Sequence, residues 1–323
     1  MFTFKPVYKE YLWGGKKILP FKGLPTDRYS IAESWELSHV ENNFSVVANG
    51  LLAGTTIDVL IKQYGSQLLG DNVFQKFGYT FPLLVKFIDA NENLSIQVHP
   101  SDQLARQRHQ SFGKTEMWYI LEATPDAFIY SGFSQQIDAD EYVRRINEGS
   151  IIEVLQKYSV KTGDVFFLPA GRIHAIGAGC FIAEIQQTSD ITYRIYDYNR
   201  KDANGNERAL HTEWAKDAID YTVCPDYKMT YHAVENEAVT LVQCPYFTTN
   251  LLNLSQPVQR DFISLYSFKI YICTHGKAIF FDNKDNTLPV QQGQTILIPA
   301  DAENLVITPE SSTSFLETYI ACQ

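Results

Sequence analysis

Short segments that favour β-strands recur along most of the chain, and they constrain its fold more than any other feature. They are rich in Val, Ile, Phe and Tyr, and turn-forming Gly, Pro, Asn or Asp residues bound them. Many short strands separated by turns are typical of β-sandwiches and β-barrels. The strands predicted in the first two thirds of the chain lie at residues 81–90, 94–99, 116–123, 127–133, 164–170, 180–188 and 192–198.

A few helical segments interrupt this pattern, and a second block of strands follows Cys224 and Pro225. Apolar residues at helical spacing predict three helices, the second of which should bend or break near Gly149. The predicted helices lie at 57–69, 141–158 and 212–221, with the sizeable helical insertion at about 134–158. The strands predicted in the second block lie at 267–281, 294–300 and 314–321.

One strand–turn unit occurs twice. Residues 163–174 (GDVFFLPAGRIH) align without gaps on residues 293–304 (GQTILIPADAEN), sharing a Gly, a polar residue, a strand and Pro-Ala. Such a repeat predicts two related β-barrel domains, at 1–225 and 226–323, although the match is short and chance similarity stays open. His174 falls on Asn304 in this alignment, so only the first copy keeps a histidine there.

Charge and cysteine usage exclude several classes of protein. The net charge is −10, so no general basic face is available for nucleic acid, whereas a small anionic ligand needs only a few local cations. No run approaches the roughly 20 apolar residues of a membrane span, and the N-terminus does not resemble a secretory leader. The cysteines are odd in number and scattered, as expected of reduced thiols in a cytoplasmic protein: Cys180, Cys224, Cys244, Cys273 and Cys322.

Three stretches place polar residues in strand-like surroundings. In SIQVHPSD, Gln97 and His99 are two residues apart and therefore share one face of a strand. Lys114 and Glu116 open the strand of GKTEMWYIL, and His174 follows a Pro-Ala-Gly turn. Two imidazoles, a carboxylate and an amide oxygen form a nitrogen and oxygen ligand set that suits Zn²⁺, Fe²⁺ or Mn²⁺.

The residues alone leave simpler interpretations open. A strand histidine can be a hydrogen-bonded core residue, and Glu116 can form an ion pair with Lys114. Spacing does not rank His99 and His174 against four further histidines, His109, His211, His232 and His275.

Four ordered blocks resemble the signature of type I mannose-6-phosphate isomerases. They are SIQVHPSD, GKTEMWYIL, FFLPAGRIHAIGAG and EIQQTSDITYRIYDY, and the earlier YLWGGKKI and AESWELS are also similar to that family. The resemblance extends to about residue 215 and then weakens, and the length is similar to that of the compact bacterial branch. It implies a mainly β fold of two cupin-type (jelly-roll) barrels with a small helical insertion. It also implies one Zn²⁺ per chain, with ligands Gln97, His99, Glu116 and His174.

The resemblance further implies a reaction, the interconversion of mannose 6-phosphate and fructose 6-phosphate through a cis-enediol. A divalent metal stabilises the charge that develops on the enediolate oxygen. Arg194 matches the family's catalytic arginine; because a guanidinium stays protonated, we expect it to stabilise the enediolate or bind the phosphate. Lys114 matches a family lysine that is expected to bind phosphate or act as an acid.

The proton-transfer group is not decided by sequence. Glu184 and Asp190 match polar positions of the family's catalytic block and are the candidate bases, and Ser95 matches a serine near the substrate. Arg172 is a further candidate for binding phosphate. From the residues alone, Asp190 could instead be a turn residue, and Arg194 could simply pair with Asp190 or Asp197.

Three other functions remain open at this point. A different metal-dependent cupin, such as an Fe²⁺ oxygenase, is disfavoured because Gln97 would occupy a position that oxygen chemistry needs free. A sugar-phosphate-binding regulatory cupin without catalysis is the second, and an isomerase of another sugar is the third. The expected partner is a small sugar phosphate, without nucleic acid or membrane, and the expected assembly is a monomer or a weak homo-oligomer.

Overall fold

The computed structural model describes residues 1–26, 30–201, 205–262, 265–284 and 286–321. It is mainly β, which confirms the predicted fold class. The strands up to residue 196 are β1 Phe2–Lys5, β2 Val7–Lys9, β3 Glu33–Leu37, β4 Val46–Val47, β5 Leu83–Ala90, β6 Ile96–Val98, β7 Glu116–Ala123, β8 Phe128–Phe133, β9 Leu155–Ser159, β10 Val165–Leu168, β11 His174–Ile176, β12 Cys180–Gln187 and β13 Tyr193–Tyr196.

The later strands and the helices complete the described chain. The strands are β14 Lys228–Met229, β15 Ala238–Gln243, β16 Thr248–Leu254, β17 Val258–Asp261, β18 Lys269–His275, β19 Lys277–Asp282, β20 Thr287–Gln291, β21 Thr295–Ile298, β22 Asn304–Pro309 and β23 Thr313–Tyr319. The helices are α1 Ile18–Phe21, α2 Ile57–Tyr64, α3 Ser66–Leu69, α4 Asp71–Phe77, α5 Asp102–His109, α6 Ala139–Glu148 and α7 Thr212–Ala218, with a 3₁₀ helix at Ile151–Val154.

Strands β2, β3 and β5–β14, called here the first half of the fold, form two antiparallel sheets that pack against each other. A seven-stranded sheet, in the order β14-β10-β7-β12-β5-β3-β2, faces a five-stranded sheet, in the order β13-β6-β11-β8-β9. Trp118 and Ile182 of the large sheet share a buried cluster with Ile129 and Ile176 of the small one. Because strand side chains alternate between faces, these residues can fill the space between the sheets while their neighbours face outward.

The second half of the fold, formed by strands β1, β4 and β15–β23, repeats this arrangement. Its seven-stranded sheet, β15-β16-β23-β18-β21-β1-β4, faces a four-stranded sheet, β17-β22-β19-β20. Tyr271 and Phe315 pack with Phe280 and Leu305 between the two sheets. The orders β10-β7-β12-β5 and β21-β18-β23-β16 correspond strand by strand, and so do β6-β11-β8-β9 and β17-β22-β19-β20. The sequence repeat therefore lies on β10 and β21, which occupy matching places.

The two large sheets pack back to back. Met117 and Ile185 of one sheet and Ile270 and Leu316 of the other belong to a single buried cluster. Strand pairs also join the predicted domains 1–225 and 226–323, because β1 pairs with β21 and β14 pairs with β10. A boundary at residues 225 and 226 would separate these hydrogen-bonded pairs, so two independent barrels at 1–225 and 226–323 stay a prediction.

The helical predictions need two corrections. The helix predicted at 57–69 is two helices, because Gly65 adopts a positive φ of 48° between α2 and α3. The helix predicted at 141–158 ends at Glu148, as expected near Gly149. The helical prediction for residues 155–158 is wrong, because they belong to β9, which pairs with β8. The strand predicted at 267–281 is the hairpin β18–β19, which turns at Gly276.

Within the described ranges, no helix has the length and apolar character needed to cross a bilayer. The described cysteines, Cys180, Cys224, Cys244 and Cys273, are free thiols, and Cys322 lies outside the described residues.

Candidate metal centre and active site

Three strands of the first half bring the predicted ligands together. Gln97 lies on β6, and His99 follows that strand directly. His174 opens the neighbouring strand β11, where it pairs with Gln97 across the ladder. Glu116 opens β7 on the facing sheet. The two sheets therefore supply a carboxylate from one side and two imidazoles from the other.

His99, Glu116 and His174 form a compact buried cluster. Their candidate ligand atoms all lie within 4.8 Å of one another. The Nε2 atom of His99 is 3.4 Å from Oε2 of Glu116, and Nε2 of His174 is 3.4 Å from Oε1 of the same carboxylate. Tetrahedral Zn²⁺ bonds of about 2.1 Å imply ligand separations of about 3.4 Å, so both distances fit one ion.

Backbone carbonyls set the tautomer of both histidines. Nδ1 of His99 lies 2.9 Å from the carbonyl oxygen of Ile191, and Nδ1 of His174 lies 2.8 Å from that of Arg172. A carbonyl only accepts hydrogen bonds, so Nδ1 carries the proton and Nε2 keeps its lone pair. Burial lowers the pKa of His99 well below its usual value and that of His174 to about 3. Both rings are therefore neutral, as metal ligands must be.

The cluster leaves polar atoms that a cation would satisfy. Oε1 of Glu116 and Nε2 of His174 are buried and have no hydrogen-bond partner among the described residues. Burial, and then the charge of Glu184, raises the pKa of Glu116 to about 7. Lys114 approaches from one edge, with Nζ 2.9 Å from Oε2 of Glu116 and 3.0 Å from Nε2 of His99. Facing buried acceptors are costly without a partner, so these residues fit a divalent metal.

A cavity of about 420 Å³ opens beside the cluster. Its size falls within the range of small-molecule sites. Gln97 lies on the cavity wall, while its role as a fourth ligand stays a prediction. The cavity brings together six of the predicted site residues: Ser95, Gln97, Lys114, Glu184, Asp190 and Arg194.

Glu184 is a buried carboxylate held by two neighbouring strands. Trp118 on β7 donates from Nε1 to Oε2 at 2.8 Å, and Lys86 on β5 forms an ion pair with Oε1 at 3.1 Å. Burial would raise the pKa of Glu184, but Lys86 and Lys114 outweigh it and hold that pKa at about 2. Glu184 is therefore ionised at neutral pH. Asp190, the other candidate base, is exposed to solvent at the cavity wall.

Arg194 is the predicted cationic group at the cavity. Its guanidinium donates to the carbonyl oxygen of Ala209 at 3.1 Å, while its buried Nε has no partner among the described residues. Asp197 pairs with Arg200 and Arg208, and no ion pair between Asp197 and Arg194 is found in the described ranges. The guanidinium of Arg194 therefore keeps donors for a ligand.

Arg172 does not lie at the cavity. Its guanidinium is 4.4 Å from the ring centroid of Tyr227, and its carbonyl oxygen accepts a hydrogen bond from Nδ1 of His174. Arg172 is therefore not placed to bind a ligand phosphate there.

Sequence reasoning missed several cavity residues. Lys86 had a signal, because it is a lysine inside the apolar strand 81–90, and its strand proves to be wholly buried. Trp13 and Trp35 lie in the quoted family-like blocks but were not singled out as site residues. The cavity residues that were not predicted include Lys9, Tyr11, Trp13, Glu33, Trp35, Lys86, Arg208 and His211.

Comparisons with known proteins identify the family of this chain. Residues 1–122 match the family described as phosphomannose isomerase type I, catalytic domain. The chain is 39% identical to mannose-6-phosphate isomerase ManA of Bacillus subtilis over 78% of this chain and 79% of that protein. It is 34% identical to mannose-6-phosphate isomerase of Streptococcus mutans over 82% and 83% of the two chains.

A solved structure extends the similarity to the whole fold. The crystal structure of mannose 6-phosphate isomerase from Bacillus subtilis superposes with a TM-score of 0.87 at 30% identity, covering 98% of both chains. The sequence blocks, the paired sheets and the relatives all agree. The chain therefore belongs to the type I phosphomannose isomerase family.

Proposed function

We propose that this protein is an aldose–ketose isomerase that interconverts mannose 6-phosphate and fructose 6-phosphate. The observation that carries the proposal is the buried cluster of His99, Glu116 and His174, which lies beside a cavity containing acidic and basic side chains. The family relatives are named for this reaction. A proton moves between C2 and C1 of the sugar through a cis-enediol, so the site must bind a sugar, hold a proton-transfer group and stabilise an oxyanion.

The proposed cofactor is one Zn²⁺ per chain, held by Gln97, His99, Glu116 and His174. Nitrogen and oxygen ligands without thiolate suit zinc. A fourth protein ligand fills a position that oxygen chemistry would need, whereas Zn²⁺ can expand to five ligands and so still accept a sugar oxygen. When bound, such a metal polarises the carbonyl and hydroxyl oxygens and stabilises the enediolate charge. The metal site would lie within residues 1–225, and the half at 226–323 would carry none.

Glu184 is the proposed proton-transfer group. It is ionised, buried and part of the cavity wall, so it can accept a proton from the sugar away from bulk water. Asp190 is exposed and is therefore the weaker candidate. Lys114 donates toward Glu116 and His99 and lies at the cavity, so it can also donate to a sugar oxygen.

Arg194 and Ser95 are the proposed substrate-binding groups. Arg194 stays protonated and keeps free donors, which suits the phosphate or the developing enediolate. Ser95 is buried at the same cavity and offers a hydroxyl that both donates and accepts. Free thiols support a cytoplasmic location, and a monomer or weak homo-oligomer with no nucleic-acid or membrane partner is proposed.

A coupled assay with mannose 6-phosphate, with and without chelator, tests the proposal beside elemental analysis of the same sample. We expect chelator-sensitive turnover and about one zinc per chain. Zinc and sugar-phosphate binding without turnover would favour a regulatory cupin. Turnover of another sugar alone would favour an isomerase with a different substrate. Iron with substrate-dependent oxygen uptake would favour an oxygenase.

A further inference from the structure

His211 is joined to the main chain of Arg194 by two hydrogen bonds. The backbone N–H of Arg194 donates to Nδ1 of His211 at 3.0 Å, and the backbone N–H of His211 donates to the carbonyl oxygen of Arg194 at 2.7 Å. His211 immediately precedes α7, whereas Arg194 lies on β13. The histidine therefore fixes the strand segment that presents Arg194 to the cavity.

These contacts also determine which ring nitrogen of His211 carries hydrogen. Because Nδ1 accepts from Arg194, the proton of the neutral ring lies on Nε2. Burial, and then the charges of Arg194 and His109, lowers the pKa of His211, which keeps the ring neutral at pH 7. His211 lines the cavity, and within the described part of the chain Nε2 has no hydrogen-bond partner. A ligand in the cavity thus finds an unused N–H donor.

Aromatic neighbours hold the ring in this orientation. Trp214 on α7 stacks on His211 with centroids 6.0 Å apart and an interplanar angle of 21°, and Tyr193 lies 6.3 Å away. His109 belongs to the same group of rings, since its Nε2 is 2.8 Å from the hydroxyl of Tyr193. His109 does not line the cavity, so it offers a matched comparison in the same surroundings.

We propose that His211 is a positioning residue for Arg194 and also a substrate-binding donor, with Nδ1 fixing the Arg194 main chain and Nε2–H donating to a phosphate oxygen of the sugar phosphate. A neutral N–H beside a guanidinium is suited to a phosphate, because it adds a hydrogen bond without another charge. Arg208 lines the same cavity and adds positive charge. The identity of the ligand rests on the proposed function, whereas the hydrogen bonding of His211 does not.

Two substitutions separate the two roles of His211. In His211→Asn, Oδ1 can replace Nδ1 as the acceptor for Arg194, but no donor reaches the position of Nε2. We expect KM for mannose 6-phosphate to rise about tenfold with kcat within about twofold of the parent protein. His211→Ala removes both side-chain interactions, the acceptor Nδ1 and the donor Nε2–H, so kcat should also fall, by about tenfold. His109→Asn should leave both constants within about twofold.

The same variants are tested without turnover. Inorganic phosphate, titrated calorimetrically into the metal-loaded protein, should bind about tenfold more weakly to His211→Asn, while His109→Asn should match the parent. Nitrogen-15 NMR of the histidine rings should show the Nε2–H tautomer for His211. Unchanged phosphate affinity in His211→Asn would overturn the donor role, and equal kcat in His211→Ala and His211→Asn would overturn the positioning role.

If the parent protein binds phosphate but does not isomerise mannose 6-phosphate, the proposed function fails. The phosphate titration then still decides the donor role of His211, and the tautomer still shows whether Nδ1 accepts the hydrogen bond from Arg194.

Discussion

Oε1 of Glu116 lies 3.4 Å from Nε2 of His174, and both atoms are buried without a hydrogen-bond partner among the described residues. Each is an acceptor, because the proton of His174 lies on Nδ1, where the carbonyl of Arg172 receives it. Two facing acceptors repel each other unless a cation or a proton lies between them. At 3.4 Å the two atoms are also farther apart than in an ordinary hydrogen bond, so the pair fits a metal ion better than a direct hydrogen bond between the side chains.

The first prediction concerns this cluster. His99→Ala and His174→Ala should each lower bound zinc from about one per chain to a small fraction and reduce kcat/KM by at least about a hundredfold, because each removes an imidazole ligand. Elemental analysis after dialysis and the coupled assay measure the two effects. His109→Ala removes a histidine outside the cluster and should change neither. Full metal and activity in both ligand variants would contradict the proposed site.

The members of the candidate metal cluster were predictable from sequence, although only the spacing of Gln97 and His99 is local. Strand alternation places Gln97 and His99 on one face, and the ordered blocks identify Glu116 and His174. The ion pair of Lys86 and Glu184 was not predictable, because only the register between β5 and β12 brings these distant positions opposite each other. A single sequence contains no signal for that register.

The fold was predictable to a similar depth. Alternating and β-branched residues marked most strands, and Gly149 marked the end of a helix. Residues 155–158 were misassigned because the pairing of β9 with β8 outweighs local helical spacing. The pairing of β1 with β21 joins the two ends of the chain, and such long-range contacts leave no local pattern.

A second prediction separates the two candidate bases. Glu184→Gln keeps the shape of the side chain but removes its charge, and kcat should fall by at least about a hundredfold. Asp190→Asn should lower kcat by less than about fivefold, because Asp190 is exposed. Steady-state kinetics give both values, and zinc content and melting temperature show whether either protein is otherwise intact. A larger loss in Asp190→Asn would assign the base to Asp190 instead.

A third prediction concerns the geometry of the charged group at residue 194. Arg194→Lys keeps a positive charge but loses the planar group with several donors, so kcat/KM should fall about 10- to 100-fold. A rise in KM alone would indicate phosphate binding, and a fall in kcat would indicate stabilisation of the enediolate. The exposed Arg144→Lys on α6 is the control and should have no effect. Unchanged kinetics in Arg194→Lys would mean that charge alone suffices.

The strand correspondence shows which residues of the second half occupy the positions that match the candidate metal cluster. Glu116 pairs with Leu168, and Lys269 pairs with Ile298, while the sequence repeat aligns Leu168 with Ile298. Lys269 therefore occupies the position that matches Glu116. Glu317 likewise takes the place of Glu184: its partners Asn250 and Tyr271 lie opposite it as Lys86 and Trp118 lie opposite Glu184. Within the part of the second half that the structure describes, no second group of potential metal ligands is found.

The fourth prediction tests the cost of this buried lysine. Lys269 is fully buried, with Nζ 4.1 Å from the ring centroid of Phe262, and burial lowers its pKa to about 8. The unfolded chain, with a lysine pKa of about 10.4, therefore binds more protons than the folded chain between about pH 8 and 10.4. The free energy of unfolding consequently rises with pH across that window. Below it, the cost of burying the charged lysine is fully present.

Lys269→Met removes the charge while keeping a long side chain. The free energy of unfolding should increase by about 1–3 kcal/mol at pH 7, and this gain should shrink toward zero near pH 10.5. Denaturant unfolding at both pH values measures the difference, with Lys277→Met as the control because Lys277 is exposed on β19. The control should show no pH-dependent gain. A loss of stability that is equal at both pH values would mean that the contact with Phe262 outweighs the cost of burying the charge.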